Sequence, residues 1–539
     1  MIISHHGEIV SSPDKVILVK DSNGNEHYVE GFLFVKDKRS GEESVKEIIR
    51  IYNAENRIPF EMMYGSFEYV IKKENETIFF ACNSLMRSIY ISEIGVSNSF
   101  LELVQYMHAQ GKQCSFNSRS ICEYYSLGNI FFGKTIVNEI SILDNGKYII
   151  WNRNGIQILD KGIGAMDSWG TIDNPRDFFR CLSIALENKK VALSLTGGYD
   201  SRLIYSQLYD KTPLYLFITA NMATKDSEAA SRVAEATGQS LDIIRTEKPD
   251  INEEYIIDII KESDGIRPLD LDGDCRLNNA REKLDSQGVN LQLTGDGGVL
   301  HKDWEWMQDL PFYHKRKTDL RKFYRQRIAF AVRAPFCGEF IDDAYRNQEA
   351  YFVKEMEKYK KDINTRSYDA LYHYVNGNRS NWYNHSSDAE YTLYAPLTEF
   401  DMVRYSYHLP RFQRFYYNNM REMITQANPK IARIPTNYGT TASSETFFLL
   451  RDVPVQLKEY FVKAKRLIRR KLKLKPKEEA ILDWTVEPDV RELEISKKSV
   501  FWAIEKKILN QNAKIEDIPY DNLCRLIHIY ILHSEYSIG

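Results

Sequence analysis

Residues 196–201, with the sequence Thr-Gly-Gly-Tyr-Asp-Ser, combine glycine, hydroxyl and carboxylate chemistry in one short stretch. Two adjacent glycines let the backbone approach a ligand closely and point successive N–H groups at it. An apolar run, residues 191–195, precedes them, and a helical apolar pattern follows from Leu203, so we expect a buried strand, a tight turn and a helix. The positive end of that helix would lie behind the turn, which favours phosphate as the ligand.

Asp200 places a negative charge inside this predicted phosphate cradle. Because a carboxylate repels phosphate, its position favours a bridging Mg²⁺ ion. The hydroxyls of Thr196 and Ser201 can donate to phosphate oxygens. An ordinary strand–turn–helix elbow, with glycines that serve packing, fits the same six residues, because short glycine motifs are common.

A second glycine-rich turn, residues 294–298, follows another apolar run, residues 289–293. From about residue 174, where Asn174 and Pro175 form a helix-start signal, apolar runs alternate with helical patterns. This alternation predicts a parallel sheet with helices on both faces. Ligands of such sheets bind at the carboxyl ends of the strands, so we expect both glycine turns at one binding edge.

The chain before about residue 155 has a different pattern, in which turn signals separate short alternating runs. An Asn-Gly turn between apolar runs predicts a hairpin, and we expect one across Asp144-Asn145-Gly146. Another hairpin is expected over residues 72–76, and a helix over residues 99–109, where Ser99 begins a capping box. The pattern predicts an antiparallel sheet with a few helices.

Composition limits the possible classes of function. The chain has 539 residues and a net charge of −3, which gives no reason to expect nucleic acid as a partner. It has neither a signal-peptide pattern nor an apolar stretch long enough to span a bilayer. Seven scattered cysteines without a Cys-x-x-Cys pair favour free thiols in a reducing cytoplasm over disulfides or a zinc site.

The second half of the chain is helical in pattern between residues 305 and 450 and then becomes strongly basic over residues 463–477. A solvated surface helix explains the basic run. This is the favoured interpretation, and a contact with anionic lipid, or with an acidic partner, is the alternative.

Residues 196–201 resemble the Ser-Gly-Gly-x-Asp-Ser pyrophosphate loop of the N-type ATP pyrophosphatases, and within them that of asparagine synthetase-like proteins. The resemblance covers about residues 1–450 and has further landmarks in the family's order. These are residues 65–70, similar to a strand of the glutaminase-type domain; residues 122–128 and 143–146, similar to the link out of it; residues 294–298, where the family has Ser-Gly-Glu-Gly; and residues 395–401 with Leu409-Pro410, similar to its P-F-L-D…L-P stretch.

The resemblance implies an α/β protein with two domains and an extension. Residues 1–155 would form an antiparallel, Ntn-hydrolase-like αββα domain that is a degenerate glutaminase. Residues 170–450 would form a parallel-sheet ATP pyrophosphatase domain, the PP-loop synthetase, with helical additions. Residues 451–539 would form a helical C-terminal extension that carries the basic segment.

The implied activity is a two-step ligase reaction that uses ATP and Mg²⁺. A carboxylate would be adenylated with release of pyrophosphate, and an amine or ammonia would then attack the acyl-adenylate and release AMP. The carboxylate could belong to a small molecule, a sugar acid or a peptide. The residues matched to ATP and pyrophosphate binding are Leu195, Thr196, Gly197, Gly198, Asp200, Ser201, Ile218, Thr294 and Gly295, with Ile218 near adenine and Asp200 also on the metal.

Two further residues are matched to catalysis. Asp296 takes the position of the family's catalytic glutamate and is one carbon shorter. Arg433 begins a segment, residues 433–439, that stands where related enzymes have a basic pyrophosphate loop, and Lys430 is a second candidate cation there.

The chain departs from the family in two places. Glutamine-hydrolysing members have a cysteine after the initiator methionine, but Ile2 stands here, so we expect no glutaminase activity. The nitrogen would then come from an amine of the substrate, as in β-lactam synthetase-like and lasso-peptide cyclase-like relatives, or as ammonia from a separate glutaminase or biosynthetic partner. Val299-Leu300 replaces an Asp-Glu pair that helps to hold Mg²⁺, and Asp296 or Asp303 are the candidate substitutes.

These departures leave two other functions open. A degenerate relative would keep the fold and bind ATP, or act as a scaffold, without turnover. Another chemistry of the same loop, such as tRNA modification, is disfavoured by the near-neutral charge and by the lack of a catalytic cysteine pair.

Overall fold

The computed structural model describes residues 1–4, 7–11, 16–84, 86–152, 155–163, 174–302, 319–329, 336–358, 392–471 and 487–539. Asp303 and residues 472–477 of the basic segment lie outside these ranges, so the predictions made for them have no structural counterpart here.

Sixteen strands and eighteen helices are found in the described residues. The strands are β1 Ile2–Ser4, β2 Ile9–Ser11, β3 Val16–Lys20, β4 Glu26–Val35, β5 Met63–Lys72, β6 Glu76–Ala81, β7 Tyr90–Ser92, β8 Gly95–Ser97, β9 Ser141–Ile142, β10 Lys147–Asn152, β11 Gly155–Asp160, β12 Val191–Ser194, β13 Leu214–Thr219, β14 Leu241–Ile244, β15 Leu291–Leu293 and β16 Thr392–Tyr394. The helices are α1 Glu42–Glu55, α2 Phe100–Ala109, α3 Ser118–Leu127, α4 Pro175–Ala185, α5 Asp200–Leu208, α6 Lys225–Glu235, α7 Glu253–Glu262, α8 Leu271–Ser286, α9 Leu320–Phe323, α10 Glu339–Lys358, α11 Phe400–His408, α12 Arg411–Arg414, α13 Asn418–Ala427, α14 Pro429–Arg433, α15 Thr446–Lys471, α16 Glu487–Glu492, α17 Glu494–Glu505 and α18 Tyr520–Tyr536.

The N-terminal part is a stack of two antiparallel sheets. One has the strand order β2-β1-β8-β7-β9 and the other β11-β10-β6-β5-β4-β3. Side chains of both sheets, including Ile3 and Val96 from one and Val70 and Phe79 from the other, form one buried apolar cluster, so the sheets pack face to face. Helix α1 covers the outer face of the second sheet, and α2 and α3 pack beside the first. The predicted antiparallel half is confirmed, with helices on both outer sides.

Of the two hairpins predicted in this half, one is confirmed and one is wrong, and the predicted helix start at Ser99 is confirmed. Strands β5 and β6 pair as a hairpin across residues 72–76, and Ser99 accepts the N–H of Glu102 at the start of α2. The hairpin predicted across Asp144-Asn145-Gly146 is wrong: β9 belongs to the first sheet and β10 to the second. The turn therefore carries the chain from one sheet to the other, and the buried Asn145 amide lies within hydrogen-bonding distance of the carbonyl oxygens of Cys82, Ser84 and Arg87.

The second part contains a five-stranded sheet with the order β14-β13-β12-β15-β16, and all its neighbouring strands are parallel. Successive residues of β12 alternate between two buried clusters. Leu193 packs on the side of α4, α5 and α6, and Ala192 packs on the side of α8. The predicted parallel sheet with helices on both faces is confirmed. Strand β16 was not predicted, because its three residues lie in a region of helical pattern.

The two parts share buried contacts, and the C-terminal helices join them. Phe34 and Tyr64 of the second antiparallel sheet belong to the same core as the parallel sheet. Helices α17 and α18 pack with α2, α3 and α7 in another cluster. In the described residues, no helix is long and apolar enough to cross a membrane. All seven cysteines are free thiols.

Candidate functional site

Two glycine loops meet at the carboxyl ends of adjacent parallel strands. Residues 196–201, the first glycine loop, follow β12, and residues 294–298, the second, follow β15, which pairs with β12. A Cβ atom on Gly295 would lie 2.7 Å from the backbone nitrogen of Ser201, and one on Gly298 would lie 2.1 to 2.5 Å from the carboxylate atoms of Asp200. Because real Cβ atoms do not approach this closely, both positions need glycine for the loops to touch.

Asp200 lies at the centre of this contact, at the first residue of α5. Its Oδ1 atom is buried and has no hydrogen-bond partner among the residues that the structure describes. The pKa of Asp200 is raised to about 6, mainly because burial disfavours the charged form; Lys302 opposes this rise and Asp296 adds to it. A buried carboxylate oxygen without a partner is the kind of atom that a bound cation would satisfy.

The residues present fit a magnesium ion shared with phosphates. Mg²⁺ in nucleotide sites is held by one or two carboxylates together with phosphate oxygens and water. Asp200 supplies one carboxylate, and Asp296 lies close enough to influence its pKa. The parts of the chain that the structure describes contain no group of three or more His, Cys, Asp or Glu residues placed to hold a metal. Any such ion would therefore depend on the nucleotide for most of its ligands.

Hydrogen bonds fix the shape of the first glycine loop. The N–H of Thr196 donates to Ser201 Oγ over 2.9 Å, and the two hydroxyls lie 3.0 Å apart. The N–H of Gly197 donates to Asp226 Oδ1 over 3.0 Å. Burial raises the pKa of Asp226, a residue of the first turn of α6. Sequence reasoning did not identify Asp226, although an acidic residue beginning the helix after the neighbouring strand was a usable signal.

A third segment, residues 434–441, lies directly on the first glycine loop. Asn437 donates from its backbone N–H to Gly197 O over 3.1 Å and from its side chain to Asp226 over 2.7 Å. The fully buried Arg202 guanidinium donates to the carbonyl oxygens of Ile434 and Gly197. The segment that the resemblance placed beside pyrophosphate is thus beside the loop.

Arg433 itself forms an ion pair with Glu445. Its guanidinium donates two hydrogen bonds to the carboxylate of Glu445, over 2.6 and 2.9 Å, and both side chains are exposed. Lys430 provides a backbone N–H to the Asn428 cap of α14. A role for Arg433 at the loop requires this pair to open, so the assignment stays a prediction.

A different cation, Lys302, faces the site. Its ammonium donates to the hydroxyl of Tyr417 over 2.6 Å and lies 4.5 Å from the centre of that ring. The Tyr417 ring stacks on Tyr199 of the first loop with centroids 4.2 Å apart. The charge of Lys302 lowers the pKa of Asp200. Sequence analysis missed Lys302 because the glycine-rich motif ends at Gly298. The short turn Gly298–His301 then carries the chain back, so that Lys302 faces Asp200.

Of the remaining predicted site residues, Asp296 is exposed, whereas Leu195 and Ile218 are buried. Asp296 is exposed, accepts a hydrogen bond from the Thr294 hydroxyl over 3.0 Å, and has a raised pKa because surrounding protein partly desolvates it. Leu195 and Ile218 are buried in the sheet core, so only their backbones can face a ligand.

Ile2 stands at the position that the resemblance matched to a catalytic cysteine. Ile2 is buried in β1 and pairs with Ser97 and Ser11. The first thiol along the chain, Cys82, is fully buried, and burial raises its pKa. A thiol with a raised pKa is a poor nucleophile, because the thiolate is the reactive form.

Comparisons with known proteins identify no family for this chain. No protein-family model matches the chain, and no curated protein matches its sequence. Among solved structures, the chain is similar to glutamine phosphoribosylpyrophosphate amidotransferase from B. subtilis, complexed with ADP and GMP, with 11% identity and a TM-score of 0.18 over 53% of this chain and 59% of that one. A structure of the allosteric regulatory enzyme of purine biosynthesis gives 13% identity and a TM-score of 0.17 over 53% and 58%. The chain spans less than two thirds of either protein, and scores this low support no conclusion about fold or function.

Proposed function

We propose that the protein is an ATP-dependent amide-bond synthetase that forms AMP and pyrophosphate and has no glutaminase cysteine of its own. It would adenylate a carboxylate and transfer the acyl group to an amine or to ammonia. The observation that carries the proposal is the meeting of two glycine loops around Asp200, at the carboxyl ends of β12 and β15. This edge is where open parallel sheets bind their ligands.

Each part of the site has a role in that reaction. Backbone N–H groups and the N-terminus of α5 would stabilise negative charge on the departing pyrophosphate. Lys302 would add a cation on the same side as Asp200, and Asn437 would keep the third segment closed on the loop. Mg²⁺, held by Asp200, would neutralise phosphate charge. Asp296, which is exposed beside the second glycine loop, would interact with the attacking amine or with the metal.

Nucleotide binding is the first test. Titration calorimetry with ATP and Mg²⁺ should show one site, and Asp200→Asn should weaken binding by more than about tenfold. Asp210→Asn is the matched control, because Asp210 is an exposed acid just after the same helix. Equal affinity in the wild type and in Asp200→Asn would overturn the assignment of the loop.

The reaction type is tested separately with hydroxylamine as a small amine. The protein, Mg-ATP and hydroxylamine are incubated with a panel of amino acids, sugar acids and C-terminal or side-chain carboxylates of peptides. The expected result is a hydroxamate together with AMP and pyrophosphate in equal amounts. Release of ADP and phosphate instead would contradict adenylation, and tight Mg-ATP binding without turnover on any carboxylate would favour the degenerate, ATP-binding relative.

A further inference from the structure

Helix α15, Thr446–Lys471, carries a long apolar stripe that faces solvent. Phe447 and Phe461 are 69% and 75% exposed, although large apolar side chains are normally buried. The exposed apolar side chains of the helix are Phe447, Leu450, Val453, Leu457, Phe461, Val462 and Ile468. Most of them recur at intervals of three, four and seven residues, so they form one continuous face along about 30 Å of helix.

The orientation of this face is fixed by the rest of the molecule. Asp452 lies on the opposite side of the helix, is 1% exposed, and forms an ion pair over 3.0 Å with the fully buried Arg421. Asp452 also accepts the N–H and the hydroxyl hydrogen of Thr441. Rolling the helix to bury its stripe would break this network and leave a buried guanidinium unpaired, which is strongly disfavoured. The stripe is therefore held outward.

Basic residues follow one edge of the stripe. Arg451, Lys458 and Lys465 are exposed and spaced seven residues apart, which puts them in a single row beside the apolar face. The sequence remains rich in lysine and arginine to Lys477. Two acidic residues at this helix are engaged with the protein: Asp452 pairs with Arg421, and Glu445, just before the helix, pairs with Arg433.

We propose that α15 lies in the surface of a bilayer that contains anionic lipids, with the stripe in the acyl boundary and the basic row on the headgroups. An apolar face with a lysine and arginine border is the chemical pattern of interfacial helices. Charge complementarity favours a membrane as the partner. When the apolar face is inserted, the basic row along its edge lies at the level of the anionic headgroups.

The test uses the full chain and sedimentation with vesicles. Vesicles of phosphatidylcholine with 30% phosphatidylserine, on the order of a cytoplasmic leaflet's charge, should pull down the protein, and pure phosphatidylcholine should retain far less. Binding should fall as salt rises, because the attraction to headgroups is screened. Equal binding to both vesicle types, or no binding to either, would overturn the proposal.

Variants separate the contribution of the apolar stripe from that of the basic row, and a further variant controls for general surface effects. Leu457→Glu with Phe461→Glu should abolish binding, and each of Lys458→Gln and Lys465→Gln should weaken it about fivefold. Phe501→Glu is the matched control, since Phe501 is an exposed aromatic on α17 and should leave binding unchanged. Because all these side chains are exposed, the variants should keep the wild-type melting temperature. If analytical ultracentrifugation instead shows a dimer that Phe461→Glu dissociates, the stripe covers a second copy and the proposal is wrong.

Discussion

Asp200 has a buried carboxylate oxygen that finds no hydrogen-bond partner in the described part of the chain, and such an atom costs stability in the absence of a ligand. Its pKa of about 6 lies above the ordinary value, so the native state holds a proton that the unfolded state releases between about pH 4 and 6. Its contribution to stability therefore falls as pH rises through that window and stays low above it. Residues that are unfavourable for the empty fold and needed for the ligand are typical of functional sites.

Replacing Asp200 by asparagine should then raise the melting temperature of the ligand-free protein while it weakens Mg-ATP binding. The expected gain at pH 7.5 is about 1–2 kcal/mol, because a buried charge is removed without a change of shape. Thermal melts at pH 5 and pH 7.5, with and without Mg-ATP, measure it. The gain should shrink at pH 5, where the wild-type carboxyl is largely protonated. A loss of stability at both pH values would show that the carboxylate has an unrecognised stabilising partner.

Gly298 tests the contact between the two loops. Gly298→Ala would place a Cβ within 2.5 Å of the Asp200 carboxylate, so Asp200 must move and Mg-ATP binding should weaken. We expect a stability loss of about 1–3 kcal/mol, as for other overpacked sites. Gly198→Ala is the steric control, because its Cβ would meet only Thr196 Oγ1 at an ordinary 3.6 Å. If urea midpoints of Gly298→Ala and Gly198→Ala agree, the loops are not in the tight contact described.

Local sequence patterns predicted those secondary-structure elements whose ends are determined by local capping and turn residues. The Asn174-Pro175 start of α4 and the β5–β6 hairpin follow from periodicity and capping alone. The Asp144-Asn145-Gly146 turn was assigned to a hairpin because a turn signal does not say whether the flanking strands share a sheet. Lys302, Asp226 and Asn437 reach the site only through tertiary packing, so no local pattern could place all three beside Asp200.

The turn between the sheets offers its own test. Asn145→Ala should destabilise the protein by about 2 kcal/mol, because it leaves buried carbonyl oxygens of residues 82–87 without their donor. Chemical denaturation of the variant measures the loss. The control is Asn23→Ala in the exposed β3–β4 turn, where the change should stay within about 0.5 kcal/mol. Similar losses in the two variants would mean that Asn145 acts only through its turn conformation.

In the whole molecule, the antiparallel and parallel parts meet through a buried polar junction beside the second glycine loop. Glu399 accepts the N–H of Gly65 over 2.7 Å and the hydroxyl hydrogen of Tyr394 over 3.0 Å. Tyr394 ends β16, and its carbonyl oxygen accepts the N–H of Thr294. The position of the second loop is therefore tied to the packing of the N-terminal part, which gives that part a structural role at this loop.

Glu399 makes that junction sensitive to pH in a predictable direction. Burial raises its pKa to about 8, against hydrogen bonds from Gly65 and Tyr394 that lower it. Between about pH 4.5 and 8 the native state keeps a proton that the unfolded state loses, so this residue's contribution to stability falls as pH rises. Glu399→Gln mimics the protonated form. The difference in unfolding free energy between wild type and variant should therefore change across this window with a slope of up to about 1.4 kcal/mol per pH unit.

Unfolding by urea at several pH values from 5.5 to 8.5 would show this as a flatter pH profile for Glu399→Gln than for the wild type. Exposed Glu505→Gln is the control and should follow the wild type. Parallel profiles for wild type and Glu399→Gln would mean that Glu399 is charged in the native protein. In that case the hydrogen bonds that Gly65 and Tyr394 donate are enough to hold the charged carboxylate at the junction.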